Sequence, residues 1–333
     1  MPGARWIALV AAAVALGCGG GQEREPAGAQ PFRVALLTPG SIADGGWNAG
    51  AYEGLERIRD ELGAEISHVE TRTPAEFEEG FLDYARRRYD LVFGHGFEYQ
   101  EAAARVAALY GDTTFVTTSG STVRPNLAPM VFELEQATYL CGVLAARMSR
   151  SGRIGLVGGV DLPSIRSTFS AMSAGVNRTD PGARVSEVFI GNFDDTAAAR
   201  EAALALMEQG ADFLMHQAND AGRGVFQAVQ ERAAAGDVVY AFGTNRDQNG
   251  MAPDVVLASA VLDLPGAFVE VARRVKERRF RAEPMRLGLA QGIVRLVYNP
   301  ALRERIPEEV VEEVAQLEAQ IRSGELIVPR GRF

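Results

Sequence analysis

The side chains able to do chemistry are few and scattered. His68, His95 and His216 lie far apart, and none shares a metal-type spacing with another His or with a Cys. Ser119 and Ser121 have no Gly-x-Ser-x-Gly elbow around them. The carboxylate pairs Asp194/Asp195 and Glu133/Glu135 could serve a hydrolase, but helix caps, a solvated face or hydrogen bonds to a ligand account for them more simply. The sole lysine, Lys276, falls in a charged helical stretch and not in a phosphate loop. Gly155-Leu156-Val157-Gly158-Gly159 lacks the Gly-x-Gly-x-x-Gly spacing of a dinucleotide site. With no nucleophile–base pair, metal cluster or phosphate loop, neither an enzyme nor a metal or cofactor is expected.

Residues suited to holding a ligand recur at one kind of place, the end of an apolar run. Among them are Asp44-Gly45-Gly46-Trp47-Asn48, Gly94-His95-Gly96-Phe97, Gly191-Asn192-Phe193, Gln217-Ala218-Asn219 and Gly243-Thr244-Asn245. Glycine lets a backbone approach a ligand, aromatic faces hold a flat one, and amides and carboxylates hydrogen-bond it. Turn chemistry explains many of the glycines, asparagines and aspartates. It does not explain Trp47 and Phe193, which are poor turn residues. His95, between two glycines, is a candidate to line the site, whereas His216 reads as a satisfied core histidine.

The elements that must position these residues follow from the pattern. Short apolar runs at 34–37, 64–69, 91–93, 114–117 and 130–132 read as strands, and the series resumes at 154–157, 185–190, 213–216, 238–242 and 255–258. Amphipathic helical stretches lie between them, at 48–62, 74–88, 98–110, 197–209 and 224–234. Strands spaced by such helices argue for βαβ units in parallel sheets, and two sets of about five strands suggest two doubly wound lobes. Such sheets bind ligands beyond the carboxyl ends of their strands, where the residues above fall.

Composition narrows the partners. The chain has 333 residues, 47% hydrophobic, and a formal net charge of −9, which disfavours a nucleic-acid polymer because binding phosphates requires a basic face. Arg5 and the apolar run Trp6–Leu16 are too short to span a bilayer and suit an export signal. Ala15-Leu16-Gly17-Cys18 resembles a bacterial lipobox, so residues 1–17 read as a lipoprotein signal peptide with Cys18 the lipid anchor. Ordinary cleavage near Ala13 is the alternative. Residues 18–31, rich in Gly, Pro and Gln, read as a flexible tether. Cys141, in an apolar stretch, reads as core filling.

From Phe32 to about Gly324 the sequence resembles the basic membrane protein family, lipid-anchored substrate-binding proteins of ABC transporters, many of which bind purine nucleosides. The resemblance rests on Asp44-x-x-Trp47-Asn48 with Gly54-Leu55, Gly94-x-Gly96-Phe97, Glu135-x-x-x-Tyr139-Leu140-x-Gly142 and Phe193-x-Asp195. Gln217-Ala218-x-x-x-Gly222-x-Gly224, Gly243-x-x-x-Asp247-Gln248 and Leu257-x-Ser259 extend it. It implies an α/β type I periplasmic-binding fold, two lobes of parallel sheet joined by three hinge crossings. The lobes are expected at 32–148 with 263–292 and at 149–262 with 293–333.

The resemblance also implies a planar ligand stacked between Trp47 and Phe193. Polar contacts are implied from Asp44, Asn48, Gly222 through its backbone, and Asp247. His95, Phe97, Glu135, Asn219 and Asn245 complete the expected binding set. Two departures matter. Asn245 stands where the family typically has an Asp for ribose hydroxyls, and Leu262 stands where a Lys is common. An amide can still bond a hydroxyl, but a Leu cannot, which turns the reading toward a free base, a different nucleoside or another small planar ligand. The expected protein is an exported, lipid-anchored monomer that hands a small molecule to an ABC permease. A ligand-sensing receptor subunit of the same fold is the alternative, and a nucleoside-processing enzyme a weaker one.

Overall fold

The computed structural model describes residues 31–330. The leader at 1–17, the anchor Cys18 and all of the tether but Pro31 lie outside the described residues. In chain order, β1 (Arg33–Thr38), α1 (Trp47–Leu62), β2 (Glu65–Glu70), α2 (Pro74–Arg86), β3 (Leu91–Gly94), α3 (Gln100–Ala107), β4 (Thr114–Thr118) and β5 (Leu127–Phe132) form a first series. After α4 (Glu135–Met148) come β6 (Arg153–Gly158), α5 (Pro163–Thr179), β7 (Arg184–Phe189), α6 (Thr196–Glu208), β8 (Phe213–Gln217), α7 (Gly222–Ala234), β9 (Tyr240–Asn245) and β10 (Val256–Leu262). The chain closes with α8 (Leu264–Lys276), β11 (Met285–Leu287), β12 (Val294–Tyr298) and α9 (Glu308–Ser323).

Local chemistry sets several boundaries. Thr73 accepts the Glu76 amide at 3.3 Å while the Glu76 carboxylate accepts the Thr73 amide at 3.4 Å, a capping box ahead of Pro74. Asp195 and Asp263 cap α6 and α8 by accepting the Ala198 and Gly266 amides. The Asp194/Asp195 pair is therefore partly cap.

The two six-stranded sheets run β11-β5-β4-β3-β1-β2 and β12-β10-β9-β8-β6-β7. Every pairing is parallel except β10–β12, so an all-parallel second sheet is not what forms. Both sheets have the same order, and in each the winding reverses beside the first strand, at β1/β3 and at β6/β8. The largest apolar cluster includes Leu36, Leu55 and Phe268 around the first sheet and Leu144, Leu156 and Phe169 around the second.

Three crossings join the lobes. The first leads from β5 into α4, the second from β10 through Asp263 into α8, and the third from β11 to β12. Helix α8 packs on α1, beneath the first sheet. Helix α4 packs on α5 and α9, and so belongs with the second sheet. Thr138 donates to the Thr168 carbonyl at 3.0 Å, and Arg147 pairs with Glu313 at 2.7 Å. At Gly142 a Cβ would stand 2.2 Å from the Met172 carbonyl oxygen, so the close crossing of α4 and α5 requires glycine there. The first crossing thus runs through Glu133–Leu134 into α4, which packs with the helices of the second sheet. The polar stretch at 149–152 is the turn between α4 and β6.

Candidate functional site

A cleft of about 210 Å³ opens at the carboxyl ends of the strands of both sheets. A single water needs only about 15 Å³, so this is space for a ligand. From the first lobe the walls are Pro39 after β1, Trp47, Gly96-Phe97-Glu98 after β3, and Ser119-Gly120-Ser121 after β4. From the second lobe come Phe193, Gln217 and Asn219 around β7 and β8, Asn245 ending β9 and Leu262 ending β10. Glu135 closes the hinge side with Arg286 and Arg330. Three wall residues, Ser119, Asn219 and Asn245, hold left-handed φ angles of 64°, 48° and 68°. Non-glycine residues adopt that region at a cost, and such strain gathers at binding sites.

Trp47 is built into place. The Asp44 carboxylate accepts the amides of Gly46, Asn48 and Ala49 at 2.8–2.9 Å, tying down the first turn of α1. Burial pushes the Asp44 carboxyl up, against the lowering effect of those three bonds. The His95 ring stacks on Trp47, with centroids 4.0 Å apart and planes at 21°. His95 Nε2 lies 3.0 Å from the Trp47 carbonyl oxygen, which can only accept, so Nε2 carries the proton. Nδ1 then accepts from the Thr118 hydroxyl at 3.3 Å. Complete burial pushes the His95 pKa down to about 3, and the ring stays neutral.

Phe193 is presented by a turn in which Asn192 Oδ1 accepts the amides of Asp194 and Asp195. Its carbonyl accepts the Ala221 amide at 2.9 Å, and its ring lies on the backbone of Gly159. Beneath β9, Gln248 Oε1 accepts from His216 Nε2 at 3.0 Å and from the Thr244 amide at 2.8 Å, fixing the strand end that carries Asn245. At the hinge side, Arg330 pairs with Glu135 and, at 3.2 Å, with Glu133. Burial still pushes the Glu135 carboxyl up, outweighing the guanidinium beside it.

Of the residues singled out from sequence, Trp47, Phe97, Glu135, Phe193, Asn219 and Asn245 share the cleft wall. The others stand elsewhere. Asp44 caps α1, and His95 lies behind Trp47. Asn48 is buried beside Gly40, its Oδ1 without a hydrogen-bond partner among the described residues. Gly222 is a glycine because the His216 ring lies where its Cβ would stand, at 2.2 Å. Asp247 is exposed, and its carboxylate accepts the Asn249 amide at 3.0 Å. Sequence reasoning missed Glu98, Arg286 and Arg330 on the wall. Glu98 sat within a predicted helix, and the two arginines are far along the chain from any strand-end motif.

Three arginines bridge the lobes near the mouth. Arg246 pairs with Glu53 at 2.9 Å and Arg72 with Asp194 at 3.4 Å, while Arg223 donates to the Ala43 carbonyl at 2.9 Å. Among the described residues, no group of three or more His, Cys, Asp or Glu side chains is placed to hold a metal ion. None of the described helices is long and apolar enough to cross a membrane.

Comparison with known proteins agrees with this architecture. Over 335 residues the chain is 27% identical to basic membrane protein A of Borreliella burgdorferi, covering 98% of this chain and 95% of that one. It is 24% identical over 300 residues to a purine-binding protein of Brucella abortus, covering 89% and 83%. The solved structure of an ABC transporter solute-binding protein from Aeropyrum pernix K1 matches with a TM-score of 0.83 at 23% identity, over 90% of this chain and 94% of that one. The fold is thus the type I periplasmic-binding arrangement, two parallel-sheet α/β lobes. The model of the Bmp family, ABC transporter substrate-binding proteins that are PnrA-like, matches residues 32–331. The chain belongs to that family of exported solute-binding proteins, which are not enzymes.

Proposed function

We propose that this protein captures a small planar ligand of the nucleoside or nucleobase type between Trp47 and Phe193 and delivers it to an ABC permease. The observation that carries the reading is one aromatic from each lobe on the wall of a single cleft, each fixed from behind. Two π-faces hold a heterocycle with about 1–3 kcal/mol per stacked base. Binding energy then favours the state in which the lobes are closed, so delivery needs no chemistry on the ligand. The purine-binding relative supports a purine-like occupant. Leu262, buried on the wall, offers no hydrogen bond to a sugar, which favours a base or a sugar-independent contact.

Titration calorimetry with adenine, guanine, hypoxanthine and their ribonucleosides tests the reading. Micromolar or tighter binding of at least one supports it, and no heat from any of them overturns it. We further propose that Cys18 carries the lipid anchor and that the protein works as a monomer. Cys18→Ser then releases the protein from membranes in cell fractionation, and light scattering returns a mass of about one chain.

A further inference from the structure

The cleft wall carries two carboxylates, and they differ in what surrounds them. Glu135 is held by Arg330. Glu98, in the short turn after β3, forms no ion pair with a described residue, and its one hydrogen bond is to its own backbone amide. Its carboxylate folds back over Gly96, with both oxygens and the carboxyl carbon 2.5–2.8 Å from where a Cβ on that glycine would stand. Phe97, Ser119, Gly120 and Ser121 line the same cleft. Burial pushes the Glu98 carboxyl up, and no cation among the described residues opposes the effect. A carboxylate placed this way has acceptor sites left over for N–H donors of a ligand.

An ionised carboxylate is acceptor-only and offers two oxygens side by side. Its best partner is an edge with two adjacent N–H donors, which gives a bidentate, charge-assisted pair. Guanine presents such an edge at N1 and N2. Hypoxanthine has only the N1 donor, and adenine sets an acceptor at N1 beside its amino group, which a carboxylate repels. We propose that Glu98 is the specificity-determining residue of the cleft and selects a planar heterocycle bearing two adjacent N–H donors, as guanine does.

The inference rests on the stacked-heterocycle reading above and goes one step past it. The test uses the full-length protein and its Glu98→Gln and Glu98→Ala variants, titrated with guanine, hypoxanthine and adenine. The wild type is expected to bind guanine at least tenfold more tightly than adenine, with hypoxanthine between them. A carboxamide has one acceptor and one donor side by side, matching the adenine edge, so Glu98→Gln should lower the guanine-to-adenine preference at least tenfold. Glu98→Ala should lose the preference without gaining adenine affinity. Because the readout is a ratio, a general weakening of the fold does not mimic it. A ratio unchanged within twofold in both variants, or a wild type that prefers adenine, overturns the role of Glu98 and leaves the cleft reading standing. Failure of the wild type to bind any base or nucleoside overturns both.

Discussion

The indole of Trp47 lies against the imidazole of His95 at 4.0 Å, and the same histidine hydrogen-bonds the Trp47 carbonyl at 3.0 Å. One buried neutral ring thus fixes both the face and the backbone of the cleft's largest aromatic. Trp47 needs little ordering when a ligand arrives, which removes a cost of binding.

That relationship has a pH signature. Folding lowers the His95 pKa from an ordinary 6.5 to about 3, and that of His216 to about 4. Between those values and 6.5 the unfolded chain holds protons that the folded one does not, so stability falls as pH falls through that window. Each histidine contributes a slope of up to about 1.4 kcal/mol per pH unit. The raised carboxyls of Asp44, Glu98 and Glu135 act in the opposite direction in acid, which makes a difference measurement necessary. Urea midpoints at pH 7, 5.5 and 4.5 should fall more steeply for the wild type than for His95→Gln. Parallel curves would remove His95 from the account.

The two aromatics should contribute unequally to stability and similarly to binding. Trp47→Ala and Phe193→Ala are each expected to weaken ligand binding roughly 5- to 150-fold, the range set by about 1–3 kcal/mol of stacking. Trp47→Phe keeps a π-face and should stay within a few fold. Trp47→Ala should also lower the thermal midpoint, because it uncovers His95, whereas the loop-borne Phe193 should cost less. Calorimetry and thermal melts on the same samples check both statements.

The arginine bridges at the mouth should govern release. Arg246–Glu53 and Arg72–Asp194 are exposed pairs, each expected to contribute about 1 kcal/mol or less and to weaken with salt. Arg246→Ala should speed ligand dissociation up to about fivefold at low salt, with the difference from wild type vanishing near 1 M salt. Stopped-flow Trp fluorescence measures it. A salt-independent effect would assign Arg246 a different role.

Asn245 and Leu262 line the cleft together from the ends of β9 and β10. Asn245→Asp and Leu262→Lys are each expected to lower stability, since each buries an unpaired charge. The double variant should recover much of that loss through pairing and should favour nucleosides over free bases at least tenfold relative to wild type. Chemical denaturation and a base-versus-nucleoside titration series read the two effects separately.

Much of the architecture was legible from local pattern. Ten strands announce themselves as short apolar runs, the helix from Pro74 as an amphipathic period, and Trp47 and Phe193 as side chains no turn requires. Strands β11 and β12 were not legible: β11 has only three residues, and the partners of both, β5 and β10, lie far earlier in the chain. For the same reason the packing of α4 with the second sheet is not legible in the sequence. Its side chains are apolar enough to suit either core, and only the packing of Gly142 on α5 decides between them. The site divides likewise. Residue type and position after a strand placed Trp47, Phe97, Phe193, Asn219 and Asn245 at the carboxyl ends, where doubly wound sheets open. Whether a polar side chain there faces the cleft or supports its wall depends on partners distant in sequence. Asp44 was claimed by the amides of α1, His95 by the back of Trp47 and Gly222 by the ring of His216, while Arg330, brought back by the chain's last residues, joined the wall at Glu135.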